Sequence, residues 1–85
     1  MNQYAFFYFM KDDPQRIRDT APLHADYWKT LAPPDYMGGP FADRSGGLIT
    51  FSAPDEAEAE RMVSEDPFVT ADVLAQSWLK PWEVS

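Results

Sequence analysis

The chain has no cysteine in its 85 residues, so disulfides and thiolate metal sites are excluded. It has one histidine, His24, which also falls short of ordinary zinc ligation and leaves only carboxylate-rich sites for harder ions. No metal or other cofactor is expected. Cations are scarce: 7 Lys and Arg stand against 14 Asp and Glu, for a formal net charge of −7. A surface that grips a nucleic-acid backbone needs clustered Lys and Arg, and here they are scattered, which argues against nucleic acid and against acidic membranes. The apolar opening YAFFYFM is too short to span a bilayer, and it lacks the basic region and small-residue cleavage site of a signal peptide. The expectation is a soluble, cytoplasmic protein.

What is present is aromatic. A chain of this length forms one domain, residues 1–85, and buries only about 60–65% of its unfolded surface. Large rings fill a thin core efficiently, and 15% of the residues are Phe, Trp or Tyr. Association with a second copy is an expected supplement, because it adds buried area without lengthening the chain.

Residues 3–10 read as a strand that is apolar on both faces: Tyr4, Phe6, Tyr8 and Met10 alternate with Ala5, Phe7 and Phe9. Asp13-Pro14 looks like a helix start, with aspartate as N-cap and proline in the first turn. Ile17, Ala21, His24, Trp28 and Leu31 then follow at helical spacing. Pro22 predicts a kink or break, with a new segment capped near Asp19 or Thr20. Pro33-Pro34 ends the helix. DYMGGPF and GGLITFSA read as a hairpin around ADRS. Pro54-Asp55-Glu56 opens a second helix with acidic residues in its first turn and Ala59, Met62 and Val63 on its apolar face. Asp66-Pro67-Phe68 is a further cap-plus-proline start, and DVLAQSWLKPW reads as a last strand, apolar on both faces.

The order strand, helix, two strands, helix, strand is the ferredoxin-like βαββαβ pattern, an α+β fold with a four-stranded antiparallel sheet. Two helices cover one face of such a sheet. The other face calls for a second cover, and a partner subunit's sheet, giving a homodimer, is the expected one.

Pro22-Leu23-His24, Gly39-Pro40, Asp66-Pro67-Phe68 and Lys80-Pro81-Trp82, in this order and approximate spacing, resemble the YciI-like (YCII-related) family. The resemblance implies a ferredoxin-like protein forming a dimeric α+β barrel, with a histidine–aspartate pair in a pocket. It assigns that pair to His24 and Asp66. Chemistry in the family includes dehydrochlorination of a ring compound, and the fold is similar to that of muconolactone isomerases. Two positions depart from the pattern. Ala21 stands where many relatives carry arginine, which bears on any shared anionic substrate. Asp72 stands where many carry glycine, which bears on the backbone near the pocket.

The residues themselves allow two roles for His24: packing on the buried stripe, or proton transfer. If Pro22 begins a new helix, His24 lies in its first turn, where the dipole disfavours imidazolium. A neutral imidazole could then act as a general base near neutral pH. Asp66 is an N-cap by its place before proline, and its carboxylate could also orient His24. Trp28, Tyr8, Tyr36 and Arg44 are the candidates for substrate contact. The pairs Gly38-Gly39 and Gly46-Gly47 fit no phosphate loop and read as strand-end and turn glycines. The expected activity is cofactor-free isomerisation or elimination on a small ring-containing metabolite. The alternative is a non-catalytic small-molecule-binding or dimeric interaction module.

Overall fold

Strand β1, Asn2–Met10, shows the two-residue period of a pleated strand: Tyr4, Phe6 and Tyr8 are buried, Ala5 and Phe7 are half-buried and Phe9 is exposed. In the computed structural model, which describes residues 1–85, β1 runs antiparallel to β3 (Gly46–Ala53) on one side and to β4 (Leu74–Pro81) on the other. β2 (Met37–Pro40) joins the far edge of β3, giving the order β2-β3-β1-β4. This is the ferredoxin-like sheet expected from the order of elements. The edge strands β2 and β4 both end in proline, which costs no ladder bond on the side facing solvent.

Helix α1 spans Pro14–Leu31. Asp13 accepts from the Arg16 backbone N–H, and Pro14 sits in the first turn, where its missing N–H is no loss. The helix runs through Pro22 without the break, or the newly capped segment, that the sequence allowed. Pro22 frees the carbonyl of Arg18, but both residues are exposed, so water can satisfy that oxygen. Packing of the opposite face, with Thr20 and Trp28 buried and Ile17, Ala21, His24, Tyr27 and Leu31 half-buried, offsets the cost of an interior proline. His24 therefore lies in the middle of a long helix, and the argument from a first-turn dipole does not apply to it. Ala32, in the left-handed conformation at φ 44°, closes the helix by donating to the Trp28 carbonyl.

Helix α2, Glu56–Ser64, is capped by Asp55 through the Glu58 N–H and buries Ala59 and Met62. One further turn, α3 (Pro67–Thr70), follows directly with Asp66 as its cap. The helices and the inner face of the sheet enclose one cluster of 11 buried apolar side chains. Trp28, Tyr4, Phe6, Phe51 and Ile49 are its largest fully buried members.

The outer face is uncovered. Phe7 stacks on Trp78 with ring centroids 5.2 Å apart, and Phe9 packs against Phe41 at 5.8 Å. Phe9, Leu48 and Trp78 are each more than a third exposed, and Met37 is almost bare. β4 differs from the expected two-sided apolar strand: only Leu74 and Leu79 are half-buried. It is an edge strand, paired with β1 alone, and nothing lies over its outer side. No helix is long and apolar enough to cross a membrane.

Candidate functional site

Asp66 is a carboxylate with no solvent exposure, and its environment explains how that is tolerated. Oδ1 accepts from the Phe68 backbone N–H at 2.8 Å, capping α3. Oδ2 accepts from the Trp28 Nε1–H at 2.9 Å. His24 Nδ1 lies 2.8 Å from Oδ1 and 2.9 Å from Oδ2 and donates between them. Three donors, two from α1 and one from the first turn of α3, thus converge on one buried acid. Both oxygens share His24, while Oδ1 also caps α3 and Oδ2 also holds Trp28.

His24 is held on one face as well as at its edge. Its ring stacks on Phe68 with centroids 4.0 Å apart and planes 16° from parallel. With Nδ1 occupied by Asp66, Nε2 points to a cleft of about 440 Å³ between α1 and the β2–β3 hairpin. Its hydrogen-bonding neighbour there is the Tyr8 hydroxyl, at 3.5 Å. When the ring is neutral, the contact with a carboxylate places the hydrogen on Nδ1 and leaves the lone pair on Nε2.

Of the residues singled out in the sequence, His24, Tyr8, Tyr36 and Arg44 line this cleft. Trp28 does not. It is 1% exposed, stacks against Tyr36 and spends its only N–H on Asp66, so its part is to hold the carboxylate. Arg44 stands on the hairpin turn in the left-handed region, φ 64°, with its side chain at the rim and no ion-pair partner. Ala21 forms part of the apolar wall. Asp72 adopts φ 57°, a conformation that favours glycine, and pairs with Lys11 at the surface, away from the cleft. Sequence reasoning missed the floor, which Gly38, Gly39 and Gly46 line. The signal was the two glycine pairs, expected only at strand ends and turns.

Although the protein is acidic, no carboxylate lines the cleft. A wider hollow of about 660 Å³ at the opposite end, near Pro33, Pro54 and Met62, offers less chemistry. Its charged groups are already engaged: Arg61 with Glu58 and Glu65, and Asp55 as the α2 cap. No group of three or more His, Cys, Asp or Glu stands close enough to hold a metal ion.

Burial raises the pKa of the Tyr8 phenol, and the negative charge of Asp66 adds to the effect. Burial likewise raises Tyr36, again helped by Asp66, and Tyr27, helped by Glu65. A phenol that ionises less readily in the fold stabilises it fully below the ordinary tyrosine value of 10, and that stability is lost as pH climbs above 10. The urea midpoint is therefore expected to fall above pH 10, and Tyr8→Phe is expected to flatten the slope. A midpoint with the same alkaline slope in both proteins would contradict this.

The YCII-related domain matches residues 2–83. Among curated proteins, none matches the sequence. Among solved structures, a 5-chloro-2-hydroxyhydroquinone dehydrochlorinase from Burkholderia phenoliruptrix AC1100, determined in complex with 2,5-dihydroxybenzoquinone, is similar at a TM-score of 0.83. The two sequences are 21% identical, over 98% of this chain and 95% of that one. A protein described as an antibiotic biosynthesis monooxygenase is similar at a TM-score of 0.72 and 14% identity, over 100% of this chain and 99% of that one. At these identities the likeness is one of fold.

Proposed function

The chain belongs to the YCII-related family, and on that premise we propose that its cleft is a cofactor-free proton-transfer site for a small ring-containing metabolite. His24 is the acid/base and Asp66 its orienting partner. The observation that carries this reading is the contact of His24 Nδ1 with the buried Asp66 carboxylate while Nε2 faces the cleft. A proton passes from a substrate carbon to Nε2, and Asp66 balances the charge of the imidazolium. The electron pair left behind either shifts within the ring and is reprotonated elsewhere, an isomerisation, or expels a leaving group such as halide, an elimination. Neither route needs an oxidant or a reductant. The cleft's volume falls in the range of small-ligand sites, and Tyr36 and Arg44 stand where they could contact ring substituents. The similar dehydrochlorinase, bound to a dihydroxybenzoquinone, supports a ring substrate.

The test is a thermal-shift screen of hydroxylated and carbonyl-bearing ring compounds, followed by proton NMR of the hits in D2O. A stabilising ligand that loses a C–H signal or forms product in the presence of the protein is expected. Ligands that bind and never exchange would instead favour a binding module.

We further infer that the exposed aromatic face built on Phe7, Phe9, Leu48 and Trp78 is covered by the same face of a second copy. Such a homodimer should bury more than about 1,000 Å² in total. Sedimentation at micromolar concentration is expected to show a dimer, and Trp78→Lys is expected to release monomer. A monomeric wild-type protein would refute it.

A further inference from the structure

All four glycines of the chain lie on β2 and β3, and three of them line the cleft. At Gly47 a Cβ would stand 2.5 Å from the Tyr8 hydroxyl and 2.9 Å from the Gly39 carbonyl oxygen, so the missing side chain makes room for the phenol as well as for the neighbouring strand. That hydroxyl belongs to a side chain only 4% exposed, lines the cleft, and has a single protein partner, His24 Nε2, at the long limit of a hydrogen bond. A buried phenol normally finds a good acceptor. Here the O–H is kept beside the proposed base and left nearly unengaged. Its position is fixed by packing, with Phe6 and Phe68 against its ring.

Building on the proton-transfer reading of the cleft, we propose that Tyr8 is a second catalytic residue, donating a hydrogen bond to the substrate oxygen that gains charge as Nε2 takes a proton, and that the substrate is an enolisable ring. That class comprises cyclic ketones, enones and lactones, and the ketonic tautomers of polyhydroxylated rings. The geometry suits it: donor and base are 3.5 Å apart, close enough to engage a carbonyl oxygen and the carbon beside it at once. In the step, the C–H bond breaks and its proton goes to Nε2. The electron pair forms a C=C bond and the carbonyl pair moves onto oxygen, where Tyr8 stabilises it without giving up its own proton. Return of the pair then accompanies reprotonation at another carbon or loss of the leaving group. Tyr8 suits this part better than Arg44, whose side chain is exposed at the rim, because a donor shielded from water interacts more strongly with developing charge. The raised pKa of Tyr8 keeps it a donor through neutral and mildly alkaline pH.

The experiment uses 4-nitrophenol, whose phenolate mimics an enolate oxygen and is distinguished from the phenol by absorbance, with 4-nitroanisole as a neutral probe of the same shape. Wild-type protein is expected to bind both. Tyr8→Phe is expected to weaken phenolate binding by about tenfold or more, as for loss of a hydrogen bond to a charged group, while 4-nitroanisole binds as before. His24→Gln is expected to retain the phenolate, which separates this proposal from the proton-transfer reading, since the binding needs no turnover. The proposal is overturned if the wild type binds no phenolate, or if Tyr8→Phe binds it unchanged. It is equally overturned if Tyr8→Phe loses both probes in proportion, which marks a packing role, or if only His24→Gln loses the phenolate, which marks the imidazolium as its holder.

Discussion

His24→Gln is expected to fold like the wild type and to lose proton transfer by roughly 10²–10⁴-fold, the range for removing a general acid–base group. The side chain is 14% exposed and packed against Phe68, so the replacement should keep much of the ring's volume. The glutamine amide can donate to Asp66 in place of Nδ1, which preserves the carboxylate's third partner. What it cannot supply is a basic lone pair facing the cleft. Rates of C–H exchange in D2O on a ligand from the screen, with thermal melts of both proteins, separate the two properties. Unchanged exchange in a well-folded variant would remove His24 from the chemistry. Exchange that falls only in step with stability would make it a packing residue.

Asp66→Ala is expected to destabilise the fold by roughly 3–5 kcal/mol, a large share of the 5–15 typical of a whole domain. Loss of a helix cap alone costs about 0.5–2 kcal/mol. Here the Trp28 indole N–H, in a ring 1% exposed, and His24 Nδ1 also lose their acceptor. Leaving buried donors unsatisfied costs about 1–3 kcal/mol each, although water entering the space vacated by the carboxylate would recover part of it. Asp66→Asn should fall between: one amide oxygen can still cap α3, while its N–H2 meets a second donor at Trp28 or His24. Urea unfolding of the three proteins checks the order. A loss under 1 kcal/mol for Asp66→Ala would mean that the buried contacts contribute nothing beyond the cap.

Much of this arrangement could be read from the chain because it rests on local rules. Asp before Pro favours a helix cap, and both Asp13 and Asp66 take that place. Alternation in residues 4–9 marks the inner and outer faces of β1, and helical spacing places His24 and Trp28 toward the sheet. The missed features depend on tertiary surroundings. Whether Pro22 breaks a helix is decided by the solvent exposure of its turn and by packing on the other face. Trp28 and His24 both sit on the buried stripe, and only the position of Asp66, 38 residues beyond Trp28, turns one into a support and the other toward the cleft. The glycine pairs carry no sign that Tyr8, on another strand, fills the space above Gly47.

The central claim, a histidine that offers a free ring nitrogen to the cleft while Asp66 holds the other, is tested most directly by nitrogen-15 NMR of the His24 ring. This is the only histidine, so no assignment is needed. In the neutral form the account predicts hydrogen on Nδ1 and an unprotonated Nε2, whose signal moves when 4-nitrophenol is added, and a loss of that tautomer preference in Asp66→Asn. A neutral ring protonated on Nε2, or an Nε2 signal indifferent to the ligand, would contradict it.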